Sequence, residues 1–230
     1  MATTEPISDD ERRVRAEAEE VHAHTQAFDE AAFLRTIDET TAVLDQAGVP
    51  HLFMGGIASA CQGRPRFTHD IDVFVRPQEA RKALDALAEA GFEPEETYAE
   101  WLYKGFKHGQ MVDLIFRSAG DIYLDDEMLA RAQHTPFMGR DVRCVPPEDL
   151  IVIKAVVHNE HMPRHWHDAL SLIAVADIDW DYLVRRARKG VRRVLALLLY
   201  AQSNDLVVPW APVRELFSLI DDPHARRASA

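Results

Sequence analysis

Apolar side chains recur at helical spacing where Phe33, Leu34, Ile37, Val43 and Leu44 fall along one face, so a helix is expected over residues 30–47. Gly48 gives that helix its stop and Pro50 prevents continuation. The pattern then shortens. Residues 51–54 are apolar enough for a strand, Gly55-Gly56 breaks it, and residues 57–62 read as a short helix. Acid and apolar positions alternate over 70–75, which marks a strand ended by Pro77. A helix over 78–90 directs Leu84 and Leu87 inward. Further strands are expected at 91–93, 100–107, 111–116 and 141–145, with Gly109 turning a hairpin. Beyond Pro146-Pro147 the pattern is helical: 148–161, 163–176, 179–189, 191–203 and 212–220. Ahead of all this, residues 8–30 read as an exposed helix, with Ser8 and Glu11 at capping-box spacing. The expected plan is a helical N-terminal arm over residues 1–48, an α/β core over 49–145 and a helical region over 146–230.

Composition narrows the class. The chain has 230 residues, 47% apolar and 28% charged, which suits a globular protein able to bury a core without disulfide or metal staples. Its longest apolar runs, 194–200 and 150–153, fall well short of the roughly 20 residues of a membrane span, so no membrane association is expected. Residues 1–20 are charged and lack the apolar stretch of a secretory signal, which points to the cytoplasm. Cys61 and Cys144 allow one bridge, but two free thiols in a reducing compartment is the simpler reading. Net charge is −12, and residues 1–50 hold 12 acidic and 4 basic side chains, so most of the acidity is N-terminal. That balance disfavours a general DNA-coating role, which needs a basic footprint. One basic run exists: Arg185, Arg186, Arg188, Lys189, Arg192 and Arg193. It reads as a solvated helix face or as a contact surface for a polyanion such as RNA.

Chemistry concentrates between residues 53 and 75. Asp70 and Asp72 are two apart on an expected strand, so both carboxylates project from one face while Ile71, Val73 and Val75 take the other. Paired carboxylates repel unless a cation sits between them, and oxygen-only ligands favour Mg²⁺ or Mn²⁺ over zinc. A third acid, Asp113, lies in the short apolar strand 111–116. It caps that strand after the Gly109 turn, or it joins the other two. If the strands are neighbours, the three acids can hold two metals about 3.5–4 Å apart. Gly55-Gly56 follows a strand and opens a helix, where free N–H groups and close backbone approach suit a phosphate; Ser59 sits in the first turn.

With thirteen residues between Gly55-Gly56 and Asp70-Ile71-Asp72, and a later acid at Asp113, this segment resembles the signature of the DNA polymerase β-like nucleotidyltransferase superfamily. More narrowly, the segments 54–58, 66–72 and 147–154 are similar to the small bacterial nucleotidyltransferases, a group that includes toxins of toxin–antitoxin and abortive-infection systems. The resemblance covers about residues 45–175 and implies an α/β core with a mixed sheet. It implies that Gly55, Gly56 and Ser59 bind the triphosphate of an NTP and that Asp70 and Asp72 bind both Mg²⁺ ions. Asp113 would bind the catalytic metal and help activate the acceptor hydroxyl, which attacks the α-phosphorus as pyrophosphate leaves. RNA such as tRNA is the first acceptor expected, with a protein hydroxyl or a small molecule open, and a cognate antitoxin is an expected partner. The rival reading is a non-catalytic protein of the same fold acting as antitoxin, sensor or scaffold. Three retained acids argue against it.

Four further features flank this core. Arg66 neutralises phosphate charge or is an exposed loop arginine. Lys154 falls beside the apolar stripe of Leu150, Ile153 and Val157, where it snorkels outward or faces a phosphate. The related enzymes carry a functional lysine in this helix and an acid on the next, which Asp168 matches. His158, His161, His165 and His167 lack a recognisable zinc spacing and read as hydrogen-bonded histidines near a polar cleft, with His158 and His161 sharing a helix face.

Overall fold

The computed structural model describes residues 28–159 and 161–221. The expected helix over 8–30, with its capping box, lies outside the described residues up to residue 27. The described residues from Ala32 onward form one compact unit, so the sheet and the helices after Pro146 share a core.

Helix α1 (Glu30–Gln46) buries Phe33, Leu34, Ile37 and Leu44, and Gly48 turns the chain at φ +62°. Strand β1 (His51–Phe53) leads into α2 (Gly55–Gln62), and β2 (Ile71–Val75) into α3 (Ala80–Glu89). Strands β3 (Glu93–Tyr98), β4 (Leu102–Lys107) and β5 (Gln110–Ile115) form a meander. Then come α4 (Asp126–Arg131) and the hairpin of β6 (Gln133–Phe137) with β7 (Arg140–Cys144). Five helices follow: α5 (Pro147–Val157), α6 (Arg164–Val175), α7 (Trp180–Arg186), α8 (Val191–Ser203) and α9 (Trp210–Asp221).

Among the described residues the seven strands make one mixed sheet in the order β3-β4-β5-β2-β1-β7-β6. The β2–β5 and β1–β7 pairs are parallel and the others antiparallel. The β4–β5 and β6–β7 hairpins both turn on two residues of positive φ, His108-Gly109 and Met138-Gly139, the combination that suits a tight hairpin turn. Central strands are apolar because helices cover them. Ile71, Val73, Phe74, Val75, Val112 and Leu114 are all buried.

Helix α5 runs through the centre of the helical layer, packed by α6, α7 and α8. Leu150 to Ala155 are buried without a break, and so are Glu148 and Asp149. Those two acids tie the layer together. Glu148 accepts the Asp179 N–H at 2.8 Å, and Asp149 accepts the Tyr182 hydroxyl at 2.6 Å and pairs with Arg186. No helix among the described residues is long and apolar enough to cross a membrane.

Some expectations need correction. Helix α5 ends at Val157, not at residue 161, so His158 and His161 share no helix face. The Asn159 side chain accepts the His161 N–H at 3.0 Å, a local turn that competes with the helix, and Arg193 caps the His158 carbonyl at 2.9 Å. Strand β3 extends to Tyr98, well past residue 93, and β6 was not expected at all. Both are exposed edge strands, and Pro136 is tolerated in β6 because an edge leaves one row of N–H groups unpaired. Cys61 and Cys144 are free thiols.

Candidate active site

Strands β2 and β5 run parallel in a register that places Asp72 opposite Asp113. Asp70 lies just ahead of β2. On the other side of β2, the Met54 N–H donates to the Asp72 carbonyl at 2.9 Å, which swings the start of α2 over the Asp72 side chain. Gly55 has φ +54°, and a Cβ there would overlap the Asp72 carboxylate. A Cβ on Gly56 would overlap Thr68, and the Gly56 N–H donates to Asp72 Oδ2 at 3.4 Å. The two glycines therefore have separate reasons: the first lets a carboxylate approach a helix N-terminus, the second makes room for the loop that delivers Asp70.

These groups open onto a cavity of about 660 Å³ between the sheet and α5. Of the residues expected from sequence, Gly55, Gly56, Arg66, Asp70, Asp72, Asp113 and Lys154 line it. Ser59 and Asp168 stand behind the wall. The buried Ser59 hydroxyl donates to the Gly55 carbonyl at 2.7 Å and so braces the glycine turn from below. Asp168 is buried between two cations. Arg66 meets it with both prongs at 2.8 and 3.0 Å, and Lys154 Nζ lies 2.7 Å from its Oδ2.

The electrostatics follow from this crowding. Burial, then the neighbouring charges of Asp70 and Asp113, push the Asp72 carboxyl up to about 6; the Gly56 N–H and Lys154 oppose the rise. Burial also raises Asp113, against the pull of Lys104, whose Nζ lies 2.9 Å from Asp113 Oδ1. Burial works against ionised Asp168 too, but Lys154 and Arg66 prevail and hold it below its ordinary value. Lys154 is lowered by burial and by Arg66, with Asp168 acting to restore it. His165 is pushed down to about 4 by burial, Lys154 and Arg164, so it lines the cavity as a neutral imidazole.

Sequence reasoning missed Lys104, Trp101, Arg117, Arg164 and the placement of His165. Lys104 had a signal. A two-residue turn at His108-Gly109 fixes the β4–β5 register and pairs Lys104 with Asp113.

Among the described residues, no three His, Cys, Asp or Glu side chains are gathered around one ion position. Asp70 and Asp72 still fit a hard divalent cation. They offer oxygen donors alone, and with Asp113 paired in register beside Asp72 the carboxylates crowd one wall of the cavity. Mg²⁺ is commonly held by one or two carboxylates, with substrate phosphates and water completing its shell.

Residues 11–203 match the model of a family described as uncharacterised nucleotidyltransferase. No curated relative matches the chain. Among solved structures, the chain is similar to the antibiotic-resistance factor ANT(2″)-Ia solved with adenylyl-2″-tobramycin, at 17% identity and TM-score 0.47, over 74% of this chain and 97% of that one. It is similar to the lincomycin-bound lincosamide antibiotic adenylyltransferase LnuA at 14% identity and TM-score 0.43, over 62% and 97%. It is also similar to the nucleotidyltransferase toxin MenT4 from Mycobacterium tuberculosis at 15% identity and TM-score 0.42, over 85% of each chain.

Proposed function

Since the chain belongs to this nucleotidyltransferase family and is an enzyme that transfers nucleotide groups, we propose that it transfers a nucleoside monophosphate from an NTP to a hydroxyl of RNA, with a divalent metal and release of pyrophosphate. The observation that carries the proposal is the register of Asp72 against Asp113 on one face of a cavity whose other walls present Gly55, Gly56 and Lys154.

In this reading Asp70 and Asp72 hold Mg²⁺ or Mn²⁺. The metal supplies charge neutralisation for the α-phosphate and the leaving pyrophosphate. The protein supplies position and proton handling. The N–H groups at the start of α2 and the cations Lys154 and Arg66 draw the triphosphate to one end of the cavity. The acceptor oxygen approaches from the Asp113 side, in line with the bond to pyrophosphate. It forms the new P–O bond as the α–β bridging bond breaks, and Asp113 accepts its proton. Lys104 keeps the Asp113 carboxylate oriented. RNA is favoured as acceptor by charge: Arg188 and Lys189 are exposed on the turn between α7 and α8, and Arg192 is exposed in the first turn of α8. That turn adjoins the cavity, because Gly120 packs against the Lys189 carbonyl one residue from Ala119 in the cavity wall.

The test is incubation with each α-labelled NTP, Mg²⁺ and total RNA, followed by separation of RNA, protein and small molecules. Label is expected in RNA and is lost in Asp70→Asn and Asp72→Asn. Label in protein or in a small molecule would replace RNA as the acceptor, and no label in any fraction would overturn the transfer reading.

A further inference from the structure

Trp101 is exposed over 39% of its surface, yet it lines the same cavity as Asp113. Tyr98, 51% exposed, stacks behind it with ring centroids 5.1 Å apart and planes within 12°. The backbone fixes the pair. The Trp101 N–H donates to the Tyr98 carbonyl at 3.1 Å, and the Phe116 N–H donates to the Trp101 carbonyl at 3.0 Å. Two large rings held flat against each other at a cavity mouth leave one aromatic face open, which has no role in the core.

Position decides what that face meets. Sheet order places β5 between β4, which Trp101 precedes, and β2, whose other neighbour β1 runs into Gly55-Gly56. The triphosphate end of the cavity and Trp101 therefore lie on opposite sides of Asp113. In-line displacement puts the attacking oxygen opposite the leaving pyrophosphate, so Trp101 flanks the acceptor. Charge decides the class. The β3 side of the aromatic pair is acidic, with Glu93, Glu95 and Glu100 beside a Glu96 that pairs with Arg81 at 2.6 Å, whereas the cavity side presents Arg117, which meets Asp121 at 2.8 Å through one of its nitrogens. A neutral ring reaches over Trp101 while its phosphate stays beside Arg117, and every nucleobase offers such a ring.

We propose that Trp101, braced by Tyr98, is the specificity residue on which the terminal nucleobase of a single-stranded RNA end stacks, aiming its ribose hydroxyl at Asp113. This rests on the transfer reading above. It is a positioning role, so the acceptor should feel it and the nucleotide donor should not.

The experiment uses the full chain, a short oligoadenylate and the same strand with an abasic 3′-terminal residue. Trp101→Ala should raise the KM for oligoadenylate about tenfold or more, leave the KM for NTP unchanged and keep the melting temperature, while Trp101→Phe restores most of the loss. In filter binding at low salt without NTP, the abasic end should weaken wild-type binding by a similar factor and Trp101→Ala binding no further. Tyr98→Ala should give a smaller loss of the same kind. A changed KM for NTP alone would assign Trp101 to the donor base. Equal binding of both strands by wild type would overturn stacking, and so would preference for a cationic amino sugar drawn by the β3 acids. Transfer to RNA that ignores Trp101 defeats this inference alone, whereas absence of transfer from any NTP defeats the reading beneath it.

Discussion

Asp72 occupies the space that a side chain on Gly55 would need. Gly55 also has φ +54°, where a β-carbon is strained whatever the room. Gly55→Ala is therefore expected to cost about 1–3 kcal/mol and to displace the Asp72 carboxylate from the start of α2. Thermal unfolding and NTP titration with Mg²⁺ check both halves. An unchanged melting temperature with wild-type nucleotide affinity would mean that α2 and Asp72 are not coupled in this way.

Asp72→Asn separates chemistry from stability. The carboxyl rises from 3.8 to about 6 on folding, so the folded state holds its proton more tightly than the unfolded chain. Stability from this group is present below 3.8 and is lost as pH rises through about 6. With a chelator at pH 7, Asp72→Asn should raise the melting temperature by about 2–6 °C, on the order of 1–2 kcal/mol after solvent screening, and flatten the decline between pH 4 and 6. The same variant should show no transfer with Mg²⁺. A lower melting temperature would mean that the Gly56 N–H bond outweighs burial and the repulsion of Asp70 and Asp113 together.

Lys154 is only 5% exposed in its side chain and shares Asp168 with Arg66. Removing it strands part of a buried charge, but Arg66 remains. Lys154→Met should thus cost about 2 kcal/mol, less than the about 3–5 kcal/mol of a fully stranded pair. Adding Asp168→Asn should recover part of that loss without recovering NTP affinity. Denaturant melts and NTP titrations of both variants check this. Recovery of affinity as well would make Lys154 a packing residue.

How far these groups were legible depended on whether their signal was local. Strands β2 and β5 and the acids they carry announce themselves, because a central strand must be apolar on both faces and an acid within it needs a reason. Strand β6 is polar and holds Pro136, features that only its place at the sheet edge makes acceptable. Helix α4 is one turn and a half, and its mark is the Asp125 cap accepting the Met128 N–H at 2.9 Å. The Arg66–Asp168 pair joins residues 102 apart, so nothing local encodes it. Trp101 sits in a loop without periodicity, and only the cavity beside it gives its exposure a meaning.

The basic run bears on the acceptor more selectively than its six cations imply. Arg186 is committed to Asp149 and Asp125, Arg185 meets Glu127 at 3.1 Å, and Arg193 holds the His158 carbonyl. Arg188, Lys189 and Arg192 are the exposed ones whose reversal leaves those bonds intact. If they contact single-stranded RNA, each contributes a log–log salt slope of about −0.7. Reversing all three to Glu should flatten the slope by about 2 and abolish binding near physiological salt. NTP binding and the melting temperature should hold, since Arg188, Lys189 and Arg192 are not among the residues that line the cavity. A filter-binding titration from low to high salt reads the slope directly. An unchanged slope in the triple variant would take the RNA backbone off this turn, and failure of the wild type to bind RNA at low salt would move the acceptor to a protein or a small molecule.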